Sequence, residues 1–526
     1  MKKIASAAEV AALVKDNDTV AFSGHGAMGT PEDIFLALSD HFEKTNHPQN
    51  ITIFKGVSLG NRYDRKGSGL CYLTRHDGLV GTMMGAHNAM EPTTLDAISK
   101  NKMMSYNLPL GTVQQILRSM VGKKPGFLTN VGLKTFADPR LGGGKGNKLT
   151  IENGKDIVKL ITIDDHEMLY YPYFPIDICF VRASLSDTEG NISLEDEAII
   201  TANYEMVAAT RNSGGIVVVI VNQIVEKGCI HPKNVAMHGS MVDYVVQASP
   251  KYCSQSIEFE CLRPELAGHY KIPINNDEAP QPFNIRKIIG RRAAMQLKKG
   301  DMANFGIGIP EYVTAVAREE GFLNKFENSI ETGTFGGIPM IGISFGATLN
   351  PSVLMRADDI LQWYDGGGLD IAFLGGAEFD QKGNVNVTRF NGKSIGPGGF
   401  VDISQNTHRV CFLGTFTAEG LDVKASDGKL EIIQEGKFKK LLKNVEEVSF
   451  SGDYAIETSQ EVLYITERAV FTLSPEGLML IEIAPGIDLQ RDVLDQMEFT
   501  PIISKDLKFM DERIFSDSLM GLKINE

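Results

Sequence analysis

The sequence predicts an α/β protein made of two similar open domains, each built on a largely parallel sheet. Residues 216–221 and 371–374 are short apolar runs beside glycines, rich in residue types that suit strands buried on both faces. Residues 32–42 and 285–297 carry helical patterns, and strands that alternate with helices are typical of a parallel sheet. At 526 residues the chain also exceeds the size of a single hydrophobic core, so at least two domains are expected.

A polar segment that contains several prolines marks the predicted boundary between these domains. Residues 273–282 combine proline with Asn, Asp and Glu, a composition typical of a linker. We therefore predict an N-terminal domain over residues 1–272, a linker over residues 273–283 and a C-terminal domain over residues 284–526.

Two motifs occur once on each side of this linker, in the same order. Residues 18–32 and 301–311 each read as an Asp, a short strand, a glycine-rich loop and a Pro-Glu pair that opens a helix. Residues 187–192 and 380–385 share the pattern Asp-x-x-Gly-Asn after a strand-like run. Either match alone could be a common turn or loop. Together, on both sides of a linker, they favour a duplicated domain.

Composition and charge argue against several classes of protein. The formal net charge is −14 and no block of Lys and Arg is present, which argues against a nucleic-acid partner or an anionic membrane surface. The six cysteines are scattered without a C-x-x-C pair, so we expect reduced thiols rather than zinc ligands or disulfides. No apolar run is long enough to span a bilayer. Glu9 and Lys15 interrupt the first segment, which indicates a short amphipathic helix rather than a signal peptide, and we expect a cytoplasmic protein.

Glu331 is the leading candidate for covalent chemistry. It stands immediately before the glycine-rich residues 332–339. Glycines let another molecule approach the main chain and expose N–H groups that stabilise an oxyanion, so a carboxylate beside them could be a nucleophile. A solvated acid in a turn accounts for the same pattern, and on these residues alone both interpretations stay open.

Two glycine loops that lead from a strand to a helix are candidate anion sites. Residues 24–29 and 306–310 would present N–H groups and the positive end of a helix dipole to a phosphate, a carboxylate or an oxyanion. The second loop lacks the Lys-Ser/Thr ending of a Walker A site. The first imitates a dinucleotide-binding loop, but the next strand ends in Lys55 rather than in an acidic residue. His25 lies in this first loop, where a hydrogen-bonding role is more common than catalysis.

A third cluster, residues 392–400, combines Lys393 with several glycines. It could clamp a pyrophosphate or an oxyanion, and a plain surface loop would look the same. Neither the H-E-x-x-H spacing of a metal site nor a G-x-S-x-G elbow stands out, so covalent carboxylate chemistry is the leading hypothesis.

Taken together with further segments, these residues resemble a known family. The chain resembles the acetate/propionate branch of the family I coenzyme A transferases. Members of this branch are short-chain acyl-CoA:carboxylate CoA-transferases. The similarity covers residues 331–339, 342–347, 380–388 and 396–400. The resemblance continues through residues 130–140, 231–235 and 483–488 and covers nearly the whole chain.

The resemblance implies a fold, an assembly and a reaction. Two similar α/β domains would have the active site at their interface and form a homo-oligomer, a tetramer or a dimer. The glutamate that matches Glu331 would attack the acyl-CoA carbonyl, and the CoA thiolate would convert the resulting anhydride into a glutamyl-CoA thioester. An acceptor such as acetate or propionate would then reverse these steps. Coenzyme A and acyl-CoA are thus implied as substrates, with no permanently bound cofactor and no metal.

The same resemblance implies site residues. Gly24, Gly26 and Gly29 would form the wall nearest the acyl group, with Leu110 and Gly399 at the same oxyanion and acyl pocket. The implied CoA site contains Gly306, Gly308, Asn384, Asn386, Lys393, Gly398 and Gly399. One departure concerns Leu110, because relatives commonly carry Gln at this place in a Pro-Gln-Gly turn. A roomier or more apolar acyl pocket is therefore our hypothesis.

Two alternatives remain at the level of the sequence. Water that reached the glutamyl thioester would make the protein an acyl-CoA hydrolase on the same scaffold. A non-catalytic protein that senses CoA or a sugar phosphate would not need a nucleophile, so Glu331 with its glycines favours transfer. The expected partners are acyl-CoA, carboxylates and further copies of the chain, with no nucleic acid and no membrane.

Overall fold

The computed structural model describes residues 3–64, 67–273, 280–340 and 342–524. The chain divides into two compact units. Unit 1 contains Met1–Ile272, Glu331–Gln362 and Arg389–Gly399, and unit 2 contains Pro273–Ile330, Trp363–Thr388 and Phe400–Glu526. Most of the predicted linker, residues 274–279, lies outside the described residues, and the domain boundaries taken from the sequence stay predictions.

The first half of the chain alternates strands and helices. Its strands are β1 (Lys3–Ile4), β2 (Thr19–Phe22), β3 (Ile51–Lys55), β4 (Val80–Gly85), β5 (Met104–Asn107), β6 (Gly126–Thr129), β7 (Lys159–Ile163), β8 (His166–Pro172), β9 (Ile178–Asp187), β10 (Ile192–Ser193), β11 (Ile216–Val225), β12 (Val235–Met237) and β13 (Tyr244–Gln247). Its helices are α1 (Ala7–Ala11), α2 (Glu32–Thr45), α3 (Cys71–Thr74), α4 (Pro92–Ser99), α5 (Leu110–Val121), α6 (Lys148–Asn153) and α7 (Asn203–Ser213).

The second half has more and shorter strands. They are β14 (Met302–Phe305), β15 (Glu327–Ser329), β16 (Thr334–Phe335), β17 (Ile338–Pro339), β18 (Thr348–Leu349), β19 (Val353–Leu354), β20 (Ile371–Gly375), β21 (Glu378–Asp380), β22 (Val385–Asn386), β23 (Arg389–Phe390), β24 (Lys393–Ser394), β25 (Arg409–Leu413), β26 (Thr417–Ala418), β27 (Asp422–Ser426), β28 (Lys429–Gln434), β29 (Phe438–Lys439), β30 (Leu441–Leu442), β31 (Glu461–Ile465), β32 (Ala469–Ser474), β33 (Gly477–Ile483) and β34 (Ile502–Phe509). The helices are α8 (Ile285–Ala294), α9 (Glu311–Glu319), α10 (Ala357–Asp365), α11 (Phe400–Ser404) and α12 (Gly452–Glu457).

The main sheet of unit 1 runs in the order β1-β13-β11-β9-β2-β3-β4-β5, and every pair along this path is parallel. Residues 217–221 of β11 are completely or almost completely buried, as expected for a strand covered on both faces. The predicted helix over residues 32–42 lies in α2, which packs Ile34, Phe35 and Leu38 into the core beside the sheet. The helix ends at Asn46, whose left-handed backbone (φ 58°) suits a C-cap.

The main sheet of unit 2 contains β15-β14-β20-β25-β31 as parallel neighbours and continues into β32, β33 and β34. The pairs of β31 with β32 and of β32 with β33 are antiparallel. The apolar run at residues 371–374 forms β20, and the helix predicted from residue 285 is α8. The predicted α/β class with largely parallel sheets is therefore confirmed.

The first repeated motif has the same hydrogen bonds in both units. Asp18 accepts from the N–H of Lys15 at 2.8 Å, and Asp301 accepts from the N–H of Lys298 at 2.7 Å. After the strand, the N–H of Ser23 donates to Phe180 O, and the N–H of Gly306 donates to Phe373 O. Ring stacking repeats as well, since the centroids of Phe22 and Phe180 are 5.5 Å apart and those of Phe305 and Phe373 are 5.3 Å apart.

The second motif repeats with similar fidelity. Oδ1 of Asp187 accepts the N–H groups of residues 189 and 191, while its Oδ2 accepts from the Asn191 amide. Oδ1 of Asp380 accepts from residues 382 and 384, while its Oδ2 accepts from the Asn384 amide. The asparagine then accepts a glycine N–H, from Gly239 in unit 1 and from Gly452 in unit 2. Two matched hydrogen-bond networks in the same order support a duplicated fold.

Candidate active site

The residues predicted for the acyl side of the site lie at the edge of the unit 1 sheet formed by the carboxyl ends of its strands. From β2 the chain order proceeds to β3, β4 and β5 in one direction, whereas β9, β11 and β13 lie in the other. In α/β proteins, ligands bind outside the carboxyl ends of the strands where the order reverses in this way. The loop at residues 23–29 follows β2 at this point, and residues 56–57, 86–87 and 108–110 follow the next three strands.

The loop after β2 depends on its glycines. Gly24, Gly26 and Gly29 have φ angles of 127°, 62° and 61°, which other residues rarely adopt. The N–H of Gly26 donates to Ser58 O and the N–H of Gly29 donates to Gln255 O, each at 2.8 Å. These two amides therefore hold the loop in shape and do not serve an oxyanion. Within the part of the chain that the structure describes, the N–H of Gly24 has no acceptor, so it is the candidate donor of this loop.

A small cavity of about 20 Å³ lies against this loop. Its lining includes Gly24, His25, Lys55, Leu110 and Gln114, and its apolar walls include Phe22, Phe54, Val113, Leu117 and Met206. Leu110 is buried at the first position of α5, and its Cδ1 lies 3.4 Å from the position of a Cβ added at Gly56. The absence of a side chain at Gly56 thus lets Leu110 reach the cavity. The effect of Leu110 on acyl preference stays a prediction.

A buried ion pair stands beside this cavity. Lys55 Nζ lies 2.5 Å from Glu91 Oε1 and also donates to His87 O at 3.0 Å. Both side chains are fully buried, and burial lowers the pKa of the Lys55 amine. Glu91 also accepts the N–H of Leu59 at 2.6 Å. The charge of Lys55 is thus matched inside the protein by Glu91.

The two histidines near the cavity are neutral at physiological pH. Burial lowers the pKa of His25 to about 4 and that of His87 to about 3, in the latter case with the help of nearby positive charges. His87 Nδ1 also pairs with Ser58 Oγ at 3.0 Å. Neither imidazole offers a positive charge to a substrate carboxylate, which agrees with the low catalytic expectation for His25 from the sequence.

Glu331 begins the second segment of unit 1. Its neighbour Thr332 is buried and donates its Oγ1 to Gly346 O at 2.5 Å. A Cβ added at Gly346 would lie 2.9 Å from Thr332 Cγ2 and 3.1 Å from His25 Cδ2, so these two side chains meet at Gly346. The residue after Glu331 therefore lies next to the loop at residues 24–29. Glu331 as a residue is partly exposed, and desolvation by the surrounding protein raises the pKa of its carboxyl.

The glycine loop at residues 396–399 reaches the same edge of unit 1. Gly396 (φ 84°) packs so closely on Ala86 that a Cβ there would lie 2.4 Å from Ala86 O. The N–H of Gly398 donates to Ala86 O at 2.8 Å, and Gly398 O accepts the N–H of Leu110 at 3.2 Å. A Cβ added at Gly398 would meet nothing within 4 Å, so this loop faces open space. Lys393 is exposed on β24.

The remaining predicted CoA residues belong to unit 2. Gly306 donates its N–H to Phe373 O at 2.8 Å, and Gly308 (φ 91°) has its N–H near the carboxylate of Glu311 at the start of α9. Burial raises the pKa of Glu311, and the N–H of Gly308 opposes this rise. An anion bound at this helix start would compete with Glu311 for the amide of Gly308.

Asn384 and Asn386 are committed to hydrogen bonds inside unit 2. Asn384 lies in the Asp380 turn described above. Asn386 is fully buried, donates to Glu378 Oε2 at 2.7 Å and accepts the N–H of Thr388 at 3.0 Å. Both side chains therefore shape the chain after β21, and their contact with CoA stays a prediction.

Sequence reasoning missed several residues of the unit 1 site. Glu91 and His87 follow β4 and carry no motif, and Lys55 was notable only as a departure from dinucleotide-binding loops. Gln114 had one available signal, because it stands four residues after Leu110 on a helix and therefore shares its face.

The residues that the structure describes contain neither a membrane-spanning helix nor a metal cluster. Over residues 3–64, 67–273, 280–340 and 342–524, no helix is long and apolar enough to cross a membrane. Over the same ranges, no group of three or more His, Cys, Asp or Glu side chains is arranged to hold a metal ion.

Comparisons with known proteins agree with the fold. Residues 4–248 match the family model described as coenzyme A transferase. The chain is 42% identical over 527 residues to caffeate CoA-transferase of Acetobacterium woodii, covering 99% of each chain. It is 41% identical to acetate CoA-transferase YdiF of Escherichia coli O157:H7, covering 99% of this chain and 97% of the relative.

A solved structure extends this similarity to three dimensions. The crystal structure of the acyl-CoA transferase YdiF from E. coli O157:H7, as a thioester complex with CoA, matches with a TM-score of 0.91 at 39% identity. The match covers 100% of this chain and 98% of that one. Full-length identity above 40% to two CoA-transferases, together with this structural match, shows that the chain belongs to the coenzyme A transferase family and is a CoA-transferase.

Proposed function

We propose that Glu331 is the nucleophile of a ping-pong reaction that moves CoA from a short-chain acyl-CoA to a carboxylate such as acetate or propionate. The observation that carries this proposal is the position of Glu331. Glu331 is partly exposed as a residue, and the adjoining Thr332 meets His25 at Gly346, beside the cavity at the carboxyl edge of the sheet. A nucleophile must reach solvent-borne substrate and still lie beside a pocket that positions the acyl group.

The first half-reaction consists of two acyl substitutions. A carboxylate oxygen of Glu331 attacks the thioester carbonyl, the C–S bond breaks, and CoA leaves as a thiolate while an acyl-glutamyl anhydride forms. The thiolate then attacks the glutamyl carbonyl of the anhydride. The donor carboxylate leaves with the electron pair of the broken C–O bond, and Glu331 carries a glutamyl-CoA thioester. An acceptor carboxylate repeats both steps in reverse, so no net proton is consumed.

The local electrostatics suit this chemistry. Desolvation raises the pKa of Glu331 because the ionised form loses hydration, and a poorly solvated carboxylate is a stronger nucleophile. His25 and His87 are neutral and hence do not stabilise the resting carboxylate by charge. Each tetrahedral intermediate needs an oxyanion donor, and such a contact is worth roughly 3–4 kcal/mol of barrier. We assign this role to the N–H groups of Gly24 and Gly399, whereas Gly26 and Gly29 hold the loop.

The acceptor class follows from the relatives' names and from the cavity. One relative is named for acetate and one for caffeate, so carboxylic acids of different size occur among proteins about 40% identical to this chain. The small cavity favours short acids. The predicted CoA residues are Lys393 and the loop at residues 396–399 within unit 1, and Gly306, Gly308, Asn384 and Asn386 within unit 2.

Mass spectrometry of the intact protein with propionyl-CoA tests this function. We expect the wild type to gain a covalent CoA adduct that disappears when acetate is added. Glu331→Ala should form no adduct and should lose at least about 10³-fold in transfer rate, since the covalent route is closed. Glu327→Ala is the matched control, because Glu327 is an exposed glutamate four residues earlier, on β15. A wild type without an adduct, or an adduct that persists in Glu331→Ala, would refute the proposal.

A separate measurement addresses hydrolysis. Propionate release from propionyl-CoA is followed with and without acetate, because a transferase needs the acceptor for turnover and a hydrolase does not. We expect at most one equivalent of propionate per active site in the absence of an acceptor, with the CoA retained on Glu331. Continuous release of propionate and free CoA at the same rate without acetate would favour hydrolysis. A homo-oligomeric assembly and a cytoplasmic location stay predictions.

A further inference from the structure

We propose that Gln114 is a specificity-determining residue of the acyl pocket and that its carboxamide selects short acyl chains that carry a hydroxyl group. This inference rests on the proposed function, because it takes the cavity after β2 as the acyl pocket. It concerns a residue that no motif in the sequence singles out.

The position of Gln114 follows from the helix that carries it. Gln114 stands four residues after Leu110 on α5, and side chains at this spacing lie on one face of a helix. Both residues line the same cavity. Gln114 therefore supplies an amide to the pocket one helical turn after Leu110.

The carboxamide of Gln114 has unused hydrogen-bonding capacity. The residue is 4% exposed, and its Oε1 has no partner among the residues that the structure describes. A buried acceptor without a donor is costly, and native proteins keep few of them unless a ligand or a water completes the bond. A buried oxygen without a donor, on a residue that lines a cavity, thus indicates a group whose hydrogen bond a ligand can complete.

Most other polar side chains of this lining already have partners. Ser23 Oγ accepts the N–H of Arg182 at 2.8 Å, and Thr201 Oγ1 donates to Asn203 Oδ1 at 2.8 Å. Lys55 is paired with Glu91. The ring of His25 approaches Gly346 and Thr332, on the side of Glu331. Gln114 is therefore the polar group best suited to contact the acyl chain itself.

A hydroxyl group matches this site better than other substituents. The orphaned Oε1 needs a donor, and a hydroxyl can also accept from Nε2 if the amide is rotated by 180°. An apolar chain would leave the oxygen unpaired. A second carboxylate would bring a charge into a cavity whose walls are largely apolar, which is strongly unfavourable. The space of about 20 Å³ limits the substituted chain to a few atoms.

Competition between acceptors of equal shape tests the inference. Lactate is compared with 2-methylpropionate, and 3-hydroxybutyrate with 3-methylbutyrate, so that each pair differs by a hydroxyl in place of a methyl group. We expect the wild type to prefer the hydroxy acid of at least one pair in kcat/KM. Gln114→Met, which keeps the length of the side chain, should lower that preference about 10-fold or more, the factor that one lost hydrogen bond commonly represents.

Gln115→Met is the matched control. Gln115 is the next residue of α5, is equally buried and donates its Nε2 to Asp358 O at 3.2 Å rather than lining the cavity. Its variant should keep the wild-type preference. Equal kcat/KM within both pairs for the wild type, or an unchanged preference in Gln114→Met, would overturn the inference even if that variant forms the CoA adduct normally. Failure of the wild type to form the adduct would instead overturn the proposed function.

If Gln114→Met does not fold, the wild type still decides the matter. The four acids are then compared as competitive inhibitors of CoA transfer to acetate. Tighter inhibition by a hydroxy acid than by its methyl counterpart supports a hydrogen-bonding acyl pocket, and equal inhibition within both pairs contradicts it.

Discussion

Gly346 is a residue at which side chains of the Glu331 segment and of the loop after β2 meet. Its φ angle of 101° is unfavourable for any residue with a Cβ. A Cβ would lie 2.9 Å from Thr332 Cγ2, 3.0 Å from Ile199 Cδ1 and 3.1 Å from His25 Cδ2. A methyl group at this place would therefore push Thr332, and with it Glu331, away from the loop that lines the cavity.

Gly346→Ala is accordingly expected to destabilise the protein by about 3 kcal/mol, because overpacking and backbone strain act together. It should also slow adduct formation about 10²-fold, since a small misplacement of a nucleophile is costly. Denaturant unfolding and the rate of CoA adduct formation measure these effects. Gly342→Ala is the control, since Gly342 also has a positive φ (68°) but a Cβ there would meet nothing within 4 Å. Equal adduct rates in the two variants would contradict the role given to Gly346.

At the scale of the element, the matched turns after β9 and β21 allow effects on stability to be distinguished from effects on CoA binding. Asp187 and Asp380 share a pattern of two backbone N–H groups and one asparagine amide, and Asp380 also accepts the N–H of Val445 at 3.4 Å. The predicted CoA residues Asn384 and Asn386 lie only in and after the second turn. The first turn thus provides a control of nearly identical geometry within the same molecule.

Asp380→Ala and Asp187→Ala should each destabilise the protein by about 2 kcal/mol, because hydrogen bonds to a carboxylate are lost. If Asn384 belongs to the CoA site, Asp380→Ala should in addition weaken CoA binding about 10-fold, while Asp187→Ala should not. Unfolding curves and calorimetric titration with CoA give the two quantities. Equal CoA affinities in the two variants would remove Asn384 from the proposed CoA site.

These turns also show what can be predicted from sequence. The Asp-x-x-Gly-Asn pattern fixes its own hydrogen bonds over five residues, and the strand at residues 216–221 is evident from composition alone. Such features are local, and local chemistry decides them. The same holds for the glycine loops, because glycine is the residue type that readily adopts their positive φ angles.

Other parts of the site depend on contacts that sequence does not display. Lys55 and Glu91 form their ion pair across 36 positions. The passage of the chain into unit 1 at Glu331 depends on short antiparallel pairs, β16 with β19 and β17 with β18, that have no periodic pattern to reveal them. The orphaned oxygen of Gln114 becomes visible only when every neighbour in the cavity wall is known.

At the scale of the whole molecule, buried carboxylic acids link stability to pH in both units. In unit 1, burial raises the pKa of Glu32 to about 7, although Gly69 donates its N–H to this carboxyl at 3.0 Å. In unit 2, burial and the neighbouring Asp402 raise the pKa of Asp365 well above its ordinary value. Since the chain already carries a formal charge of −14, protonated acids in the interior also reduce its self-repulsion.

The sign of this linkage follows from the protons that each state binds. Glu32 has an ordinary pKa of 4.5 and a folded pKa of about 7. At a pH between these two values, it holds its proton in the folded protein and releases it on unfolding. The contribution of Glu32 to the free energy of unfolding is therefore fully present below pH 4.5 and is lost as the pH rises through about 7. One retained proton gives a slope of up to about 1.4 kcal/mol per pH unit.

Glu32→Gln should flatten this dependence, because glutamine does not titrate. We expect the unfolding free energy of the wild type to fall between pH 5 and pH 7 more steeply than that of the variant, by a slope approaching about 1 kcal/mol per pH unit. Urea unfolding followed by circular dichroism, with the single tryptophan Trp363 of α10 as a second probe, measures both curves. Glu152→Gln on α6 removes the same formal charge from a side chain that is 56% exposed, and it should keep the wild-type slope. Identical slopes for Glu32→Gln and Glu152→Gln would show that Glu32 gives up its proton in the folded state, and the linkage would then have to arise from other buried acids such as Asp365.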